Sequence, residues 1–260
     1  VQSVEVINNP GAQYDASVSS VVRIKTIRRE GEGFGFDLNA ANNHDLMYGV
    51  SDPSATLNLR YRFKNLDLFG SVNYWKWDQM SIYKDYVKMY IDRNAYIQED
   101  CVANEHYYSS GLDYNLGFNW QFGENHSVGA RIVRRETVDA GTDWRSVTDI
   151  LRYDEYSGLV SSLNESSQDE KRNSPYDWEG NLYYSGQLGR LGISFNADYL
   201  SNRKDMVCNI SDIIDDAEHV ERLQEGVTAS RLAAARLVLT YRVWKGQLEA
   251  GTEATSVERG

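Results

Sequence analysis

The sequence predicts an all-β fold: part of a large antiparallel transmembrane β-barrel, about nine strands of it, preceded by the last strands of a small soluble element. Three observations predict it. Apolar and polar residues alternate over runs of about ten residues, which is the signature of a strand with two unlike faces. The connections between runs sort into short and long. Aromatic residues collect at both ends of the runs.

The clearest run is Ser110–Phe122. Leu112, Tyr114, Leu116, Phe118, Trp120 and Phe122 share one face; Gly111, Asp113, Asn115, Gly117, Asn119 and Gln121 share the other. Such a run is about twice the usual strand length and long enough to cross a bilayer at a tilt. One face suits acyl chains and the other a wet lumen.

The other runs follow in chain order. Gly31-x-Gly33-x-Gly35 reads as a flexible entry to the first strand, where Phe34, Phe36, Leu38 and Ala40 alternate with Gly35, Asp37 and Asn39. Ala55, Leu57, Leu59, Tyr61 and Phe63 come next, then a tight turn at Lys64-Asn65, and Leu66, Leu68, Gly70, Val72 and Tyr74 return. After the Ser110–Phe122 run, Gly123-Glu124-Asn125 turns the chain into Val128, Ala130 and Ile132. Trp178, Gly180, Leu182 and Tyr184 pair across a Gly-rich turn with Leu191, Ile193, Phe195, Ala197 and Tyr199. Ala233, Ala235, Leu237, Leu239 and Tyr241 turn near Lys245-Gly246 into Leu248, Ala250, Thr252 and Ala254.

At one end of these nine runs the connections take about two to five residues; at the other they take from about a dozen to nearly forty. Outer-membrane barrels sort their loops this way. Tyr61, Phe63, Trp120, Phe122, Tyr241 and Trp244 lie beside the short turns, and Tyr74, Trp75, Trp77, Tyr176, Trp178 and Tyr199 beside the long connections. Two aromatic belts are expected at two membrane–water interfaces. A soluble β-sandwich accounts for the alternation but not for the sorted connections or the strand length. Nine is odd, and an open sheet in lipid would leave two unpaired edges. Further strands are therefore expected to complete a larger barrel.

The net charge is −11, against the clustered basic face that nucleic-acid binding requires. Intervals 77–108, 138–176 and 202–229 hold 21 acidic and 10 basic residues, so they carry the whole surplus and are expected to be water-facing connections. The mean hydropathy of −0.56 does not argue against a barrel, whose strands give only every second residue to lipid. Val1 opens no signal peptide, so the chain is expected to start downstream of its export signal. Cys101 and Cys208, one in each of two polar intervals, leave open a single bridge or two free thiols.

No catalytic, cofactor-binding or metal-ligating constellation stands out, so an enzyme is not expected. His44, His106, His126 and His219 are scattered and show no metal-ligand spacing. Asp212, Asp215, Asp216 and Glu218 form an acidic group that does not match a calcium loop. The segment 213–223 has the pattern of one amphipathic helix, with Ile214, Val220 and Leu223 on one side. Tyr83, Tyr86, Tyr90 and Tyr96, beside Trp75 and Trp77, suit either stacking on sugar rings or flat ligands, or packing between loops. Arg60, Arg62, Arg131 and Asp113 fall on the lumen face.

Residues 1–30 differ in texture from the long runs. Val4-Glu5-Val6-Ile7-Asn8-Asn9-Pro10-Gly11-Ala12-Gln13-Tyr14-Asp15-Ala16 reads as a short strand and a turn, and Val21–Ile27 as a second strand before Arg28-Arg29-Glu30. The run from Val4 to Thr26 resembles the last segment of the plug domain of TonB-dependent outer-membrane receptors, with a Pro-Gly/Ala-x-Tyr-x-Ala turn and an Ile-Lys-Thr strand. Where many plugs carry Gly-Gly-Val-Ile-Asn, this chain has Ser19-Ser20-Val21-Val22-Arg23. The Gly111–Tyr114 and Leu248–Gly251 strands are similar to those of the large barrel branch common in Bacteroidetes-type bacteria.

The resemblance implies a plug end over 1–30 and the N-terminal portion of a 22-stranded, plugged barrel over 31–260. It also implies a place in the bacterial outer membrane and uptake of a siderophore, vitamin, oligosaccharide or peptide. Outer-membrane lipid and the TonB complex would be its partners, the latter through a segment upstream of Val1. A non-transporting barrel serving as adhesin or structural surface protein is the alternative.

Overall fold

The computed structural model describes residues 3–8, 20–25, 31–244 and 246–260. The chain divides into two units, residues 1–33 and 34–260. In the first, β1 (Ser3–Asn8) and β2 (Ser20–Lys25) pair antiparallel, with Val4 opposite Ile24 and Val6 opposite Val22. The Pro-Gly turn, the charged 26–30 segment and Lys245 lie outside the described residues.

The second unit is built from β3 (Gly33–His44), β4 (Ser51–Phe63), β5 (Leu66–Tyr90), β6 (Tyr96–Phe122), β7 (His126–Asp154), β8 (Gly158–Leu188), β9 (Leu191–Ile214), β10 (Glu218–Val243) and β11 (Gly246–Arg259). They form one nine-stranded sheet in sequence order, antiparallel from β4 to β11. Each of these strands touches only its neighbours in the sheet, so among the described residues no second layer covers either face. A soluble sandwich needs such a layer.

Register joins the apolar faces of successive strands into one band. Tyr61, Leu68, Phe118, Ala130, Leu182, Ala197, Ala235 and Ala254 form one continuous row, and Leu59, Gly70, Leu116, Ile132, Gly180, Tyr199 and Ala233 lie in the next. A slip of one residue at any pairing would break the band, because it turns every side chain to the other face. Large apolar side chains stand bare on it: Phe36 is 71% exposed and Leu116 65%. A bare apolar surface this extensive marks contact with lipid or protein.

The band is also slanted. Leu66 opens β5, and its row passes Trp120, two residues inside the end of β6, then Tyr184, four inside the end of β8, then Leu237, six inside the end of β10. Each hairpin thus slips by two residues, one per strand. A closed barrel with that ratio of shear to strand number tilts its strands by about 36°. From Leu112 to Phe122 the apolar run of β6 measures about 33 Å at the usual rise per residue. That tilt reduces its height to about 27 Å, close to the apolar band of outer-membrane barrels.

The polar face is the sheltered one. Ala103, Ser109, Val133, Ala140 and Cys208 are buried with no layer above them, and the register places all five on that side; Ser201 and Gly186 are buried on the apolar side. Larger neighbours close over these small side chains. Three close contacts show it: Trp75 over Gly111, Phe69 over Gly117 and Tyr183 over Gly129.

Beyond the band the structure departs from expectation. Intervals 77–108, 138–176 and 202–229 are not irregular loops; they continue the strands, which reach 25 residues in β5, 29 in β7 and 31 in β8. Connections are tight at both ends, and the asymmetry lies in how far the sheet rises past the apolar band. Tyr, Thr, Val and Ile hold these stretches extended, while polar residues stand on both faces, which erases the alternation. The expected helix over 213–223 is likewise a hairpin: Ile213 pairs with His219, and Asp215 and Asp216 turn the chain at φ 51° and 55°. Two successive left-handed residues make the mirror-image turn that suits a twisted hairpin, and aspartate tolerates that conformation. Asp215 is held further, since Leu163 N–H donates to its carboxylate at 2.6 Å.

Candidate functional site

The polar face within the band is a lattice of side-chain hydrogen bonds crossing the strands. Thr56 Oγ1 donates to Asn73 Oδ1 (2.6 Å), and Asn73 Nδ2 to Asp113 (3.2 Å). Asn58 donates to Asp37 (3.3 Å), Arg131 Nε to Asn115 (2.9 Å) and Tyr183 Oη to Asn119 (2.9 Å). Asn181 donates to Asp198 at 2.6 Å, and Arg135 to Glu179 at 2.9 Å. Arg62 is paired with Asp67, its Nη2 at 2.9 Å. The sequence-predicted Arg131 and Asp113 belong to this lattice, and Arg60, opposite Phe69, shares the face.

Higher on the same face the sheet changes character. Tyr83 of β5 and Trp144 of β7 pair with ring centroids 5.5 Å apart, and Tyr83 Oη donates to Glu105 Oε2 at 2.7 Å. That bond raises the Tyr83 hydroxyl above its ordinary value, because it favours the protonated phenol beside a carboxylate. The Arg172 guanidinium sits 5.3 Å from the centre of the Tyr107 ring, donates to Thr142 Oγ1 at 2.7 Å and pairs with Glu170. Register fills the interval: Ser81, Glu105, Trp144 and Gln168 form one row, and Gln79, Tyr107, Thr142 and Glu170 the next.

The opposite face at this height carries a charged group. Asp78 accepts from Lys76 Nζ at 2.7 Å and lies 2.8 Å from His106 Nε2, while its own N–H donates to Asp52 at 2.6 Å. Burial works to raise the Asp78 carboxyl, but the Lys76 and His106 bonds outweigh it and hold it below the ordinary range.

Of the aromatics expected at the membrane interfaces, Tyr61, Phe63, Tyr74, Trp120, Phe122, Trp178, Tyr199 and Tyr241 stand on the apolar face. Trp120 and Phe122 join His126 and Tyr184 in a ring cluster beside the short turns, where Tyr184 lies 2.8 Å from His126 Nδ1. Trp178 receives the Arg134 guanidinium at 5.1 Å. Trp244 sits in a turn, 99% exposed. Trp75 and Trp77 point to the polar face instead: they occupy the odd positions of β5, and Trp75 covers Gly111 there.

The tyrosine group is divided by the same alternation. Tyr83 joins the platform, whereas Tyr86, Tyr90 and Tyr96 take the other face. At the tip there, Tyr96 stacks on Tyr153 at 5.5 Å and Lys88 lies 4.0 Å from the Tyr96 ring centre. Tyr107, Trp144 and Arg172 fall in intervals whose sequence predicts loops. Parity counted along β6 finds Tyr107, but an extra residue in β7, Val138, shifts the register and turns the even-numbered Trp144 to the polar face, which no count from Ile132 reveals.

Cys101 and Cys208 are both free. Cys208 is opposite Glu170 and Cys101 opposite Thr148, on β9 and β6, three strands apart. His44 bonds Ser51 at 2.7 Å and His219 pairs with Ile213, each apart from the other histidines. Among the described residues no group of His, Cys, Asp and Glu is arranged to hold a metal ion.

Fold and site together define a single-layered, two-faced β-meander: a bare apolar band on one side, a hydrogen-bonded polar surface rising into an aromatic platform on the other. No protein-family model matches the chain, and no curated protein does.

Proposed function

We propose that this chain is a segment of a TonB-dependent outer-membrane receptor, with the apolar band on lipid and the polar face lining the lumen. The single observation that carries this reading is the slanted band, continuous across all the register-defined strands and uncovered by protein. An apolar surface of that height and tilt fits a bilayer, and the sheltered, hydrogen-bonded side fits a pore wall. The β1–β2 pair supports a plug end, since an adhesin barrel has no need of a second small sheet ahead of its first strand. Transport, not catalysis, is the activity proposed, and the strand extensions would rise from the cell surface.

The test is twofold. Cell fractionation with surface proteolysis should place the chain in the outer membrane, cut only in the extensions; recovery from the soluble periplasm would overturn the reading. Uptake of a bound ligand should stop when a protonophore collapses the inner-membrane gradient; undiminished uptake would favour the adhesin or structural barrel.

A further inference from the structure

We infer that the polar-face platform above the band binds a neutral oligosaccharide, with Tyr83, Trp144 and Tyr107 as stacking rings and Glu105 as the acceptor for sugar hydroxyls; this rests on the receptor reading and names its ligand class. Four features carry it.

The rings lie on an open sheet surface in company with hydroxyls, carboxamides and carboxylates. Ser81 and Gln168 flank Glu105 and Trp144, and Gln79 and Thr142 flank Tyr107. A pyranose presents an apolar C–H face and a rim of hydroxyls, so it requires that mixture and gains from ring contact and rim hydrogen bonds together.

The polar groups are set for the work. Glu105 uses Oε2 for Tyr83, which fixes the carboxylate, and a carboxylate has a second oxygen with which to accept. Arg172, held by Glu170 and Thr142, is braced against Tyr107 and offers its remaining N–H groups.

The charge balance selects against other ligands. Two carboxylates stand against one guanidinium, and that guanidinium is already paired, so an anionic iron chelate meets no net positive field. The strands beneath are hydrogen-bonded on both sides, so an extended peptide finds no free backbone to pair with here.

The length fits as well. Trp77, also on this face, and Tyr83 are six residues apart on β5, about 20 Å at the strand rise, which suits a short chain of sugars rather than one.

The experiment uses the full-length receptor in detergent or nanodiscs, titrated with neutral hexasaccharides (cello-, malto- and xylo-hexaose) by calorimetry and by tryptophan fluorescence. Outer-membrane fractionation and heat-modifiable gel mobility are scored first on every variant. One hexasaccharide should bind, and Trp144→Ala should weaken it by about tenfold, the scale of one lost ring contact. Glu105→Gln, which keeps shape, should weaken it as well, whereas Tyr86→Ala on the other face should leave it unchanged. A folded, membrane-inserted receptor that binds none of the three, or binds equally with Trp144→Ala and Glu105→Gln, overturns the inference while leaving the receptor reading intact. Binding of a ferric chelate or a peptide with those same losses would also overturn it. Failure to fractionate with the outer membrane would sink the receptor reading itself.

Discussion

Gly117 shows how one atom shapes the sheet. A Cβ there would meet the Phe69 ring and, at 2.7 Å, the Ala130 carbonyl oxygen, so the absence of a side chain lets Phe69 close over this position on the polar face. Gly117→Ala should cost about 1–3 kcal/mol, the scale of an overpacked site, measured as a lower urea midpoint of the folded barrel. Phe69→Ala in the same background should recover part of it by removing the clash. The cysteines give a second residue-scale expectation. Cys208 is 2% exposed, and burial, with Glu170 and Asp169 nearby, pushes its thiol up. Maleimide should therefore label Cys101 well before Cys208, with both available to label in unreduced protein, because thiolate and access both set the rate. A bridge-dependent mobility shift on a non-reducing gel would contradict this.

At the scale of the strand, the two faces carry opposite tolerances. Leu116→Arg, in the middle of the band, should destabilise assembly by about 2–4 kcal/mol, whereas Asn115→Arg one position along should be tolerated. Equal outcomes would overturn the face assignment. Above the band the Asp78 group makes β5 and β6 sensitive to acid. The Asp78 carboxyl is held below its ordinary 3.8, so its stabilisation is present above that value and is lost as pH falls through the depressed one. The wild-type protein should thus lose more of its urea midpoint between neutral pH and pH 3 than Asp78→Asn does, the two converging in acid.

Elements also differ in how far their sequence announced them. Ser110–Phe122 was legible because a bare apolar side and a hydrogen-bonded polar side write a period of two. The upper half of β6, from Tyr96 to Ser109, was not, because Asn104 and His106 on one face and Glu105 and Tyr107 on the other leave no contrast to read. The Asp215-Asp216 turn was hidden for a related reason: Ile214, Val220 and Leu223 satisfy a helical stripe on paper, while two aspartates at positive φ decide for a hairpin. Proximity to a connection, which ignores parity, misplaces Trp75 and Trp77; parity carried along β5 and β6 reaches Tyr83 and Tyr107, whereas Trp144 follows a register shift at Val138 that has no mark in the sequence.

For the whole molecule, tilt is the quantity that register determines. On the proposed barrel reading, polarised infrared spectroscopy of the protein in oriented bilayers should give strands about 36° from the membrane normal in the band, since the slip of one residue per strand sets that angle once the sheet closes. A mean tilt below 20° would mean that these hairpins close differently. The β3 and β11 edges, 12 and 14 residues long, carry no neighbour on their outer sides within this sheet. Unpaired strands of that length are sites of cross-chain pairing.

The uniform two-residue slip has a further meaning. Since every hairpin between β5 and β10 repeats the same offset at its short-turn end, each adds the same step to that edge of the sheet. Gene duplication of one such unit would widen the sheet while keeping the pitch, and loss of one would narrow it. Width can therefore evolve without redesigning the pairing, one hairpin at a time.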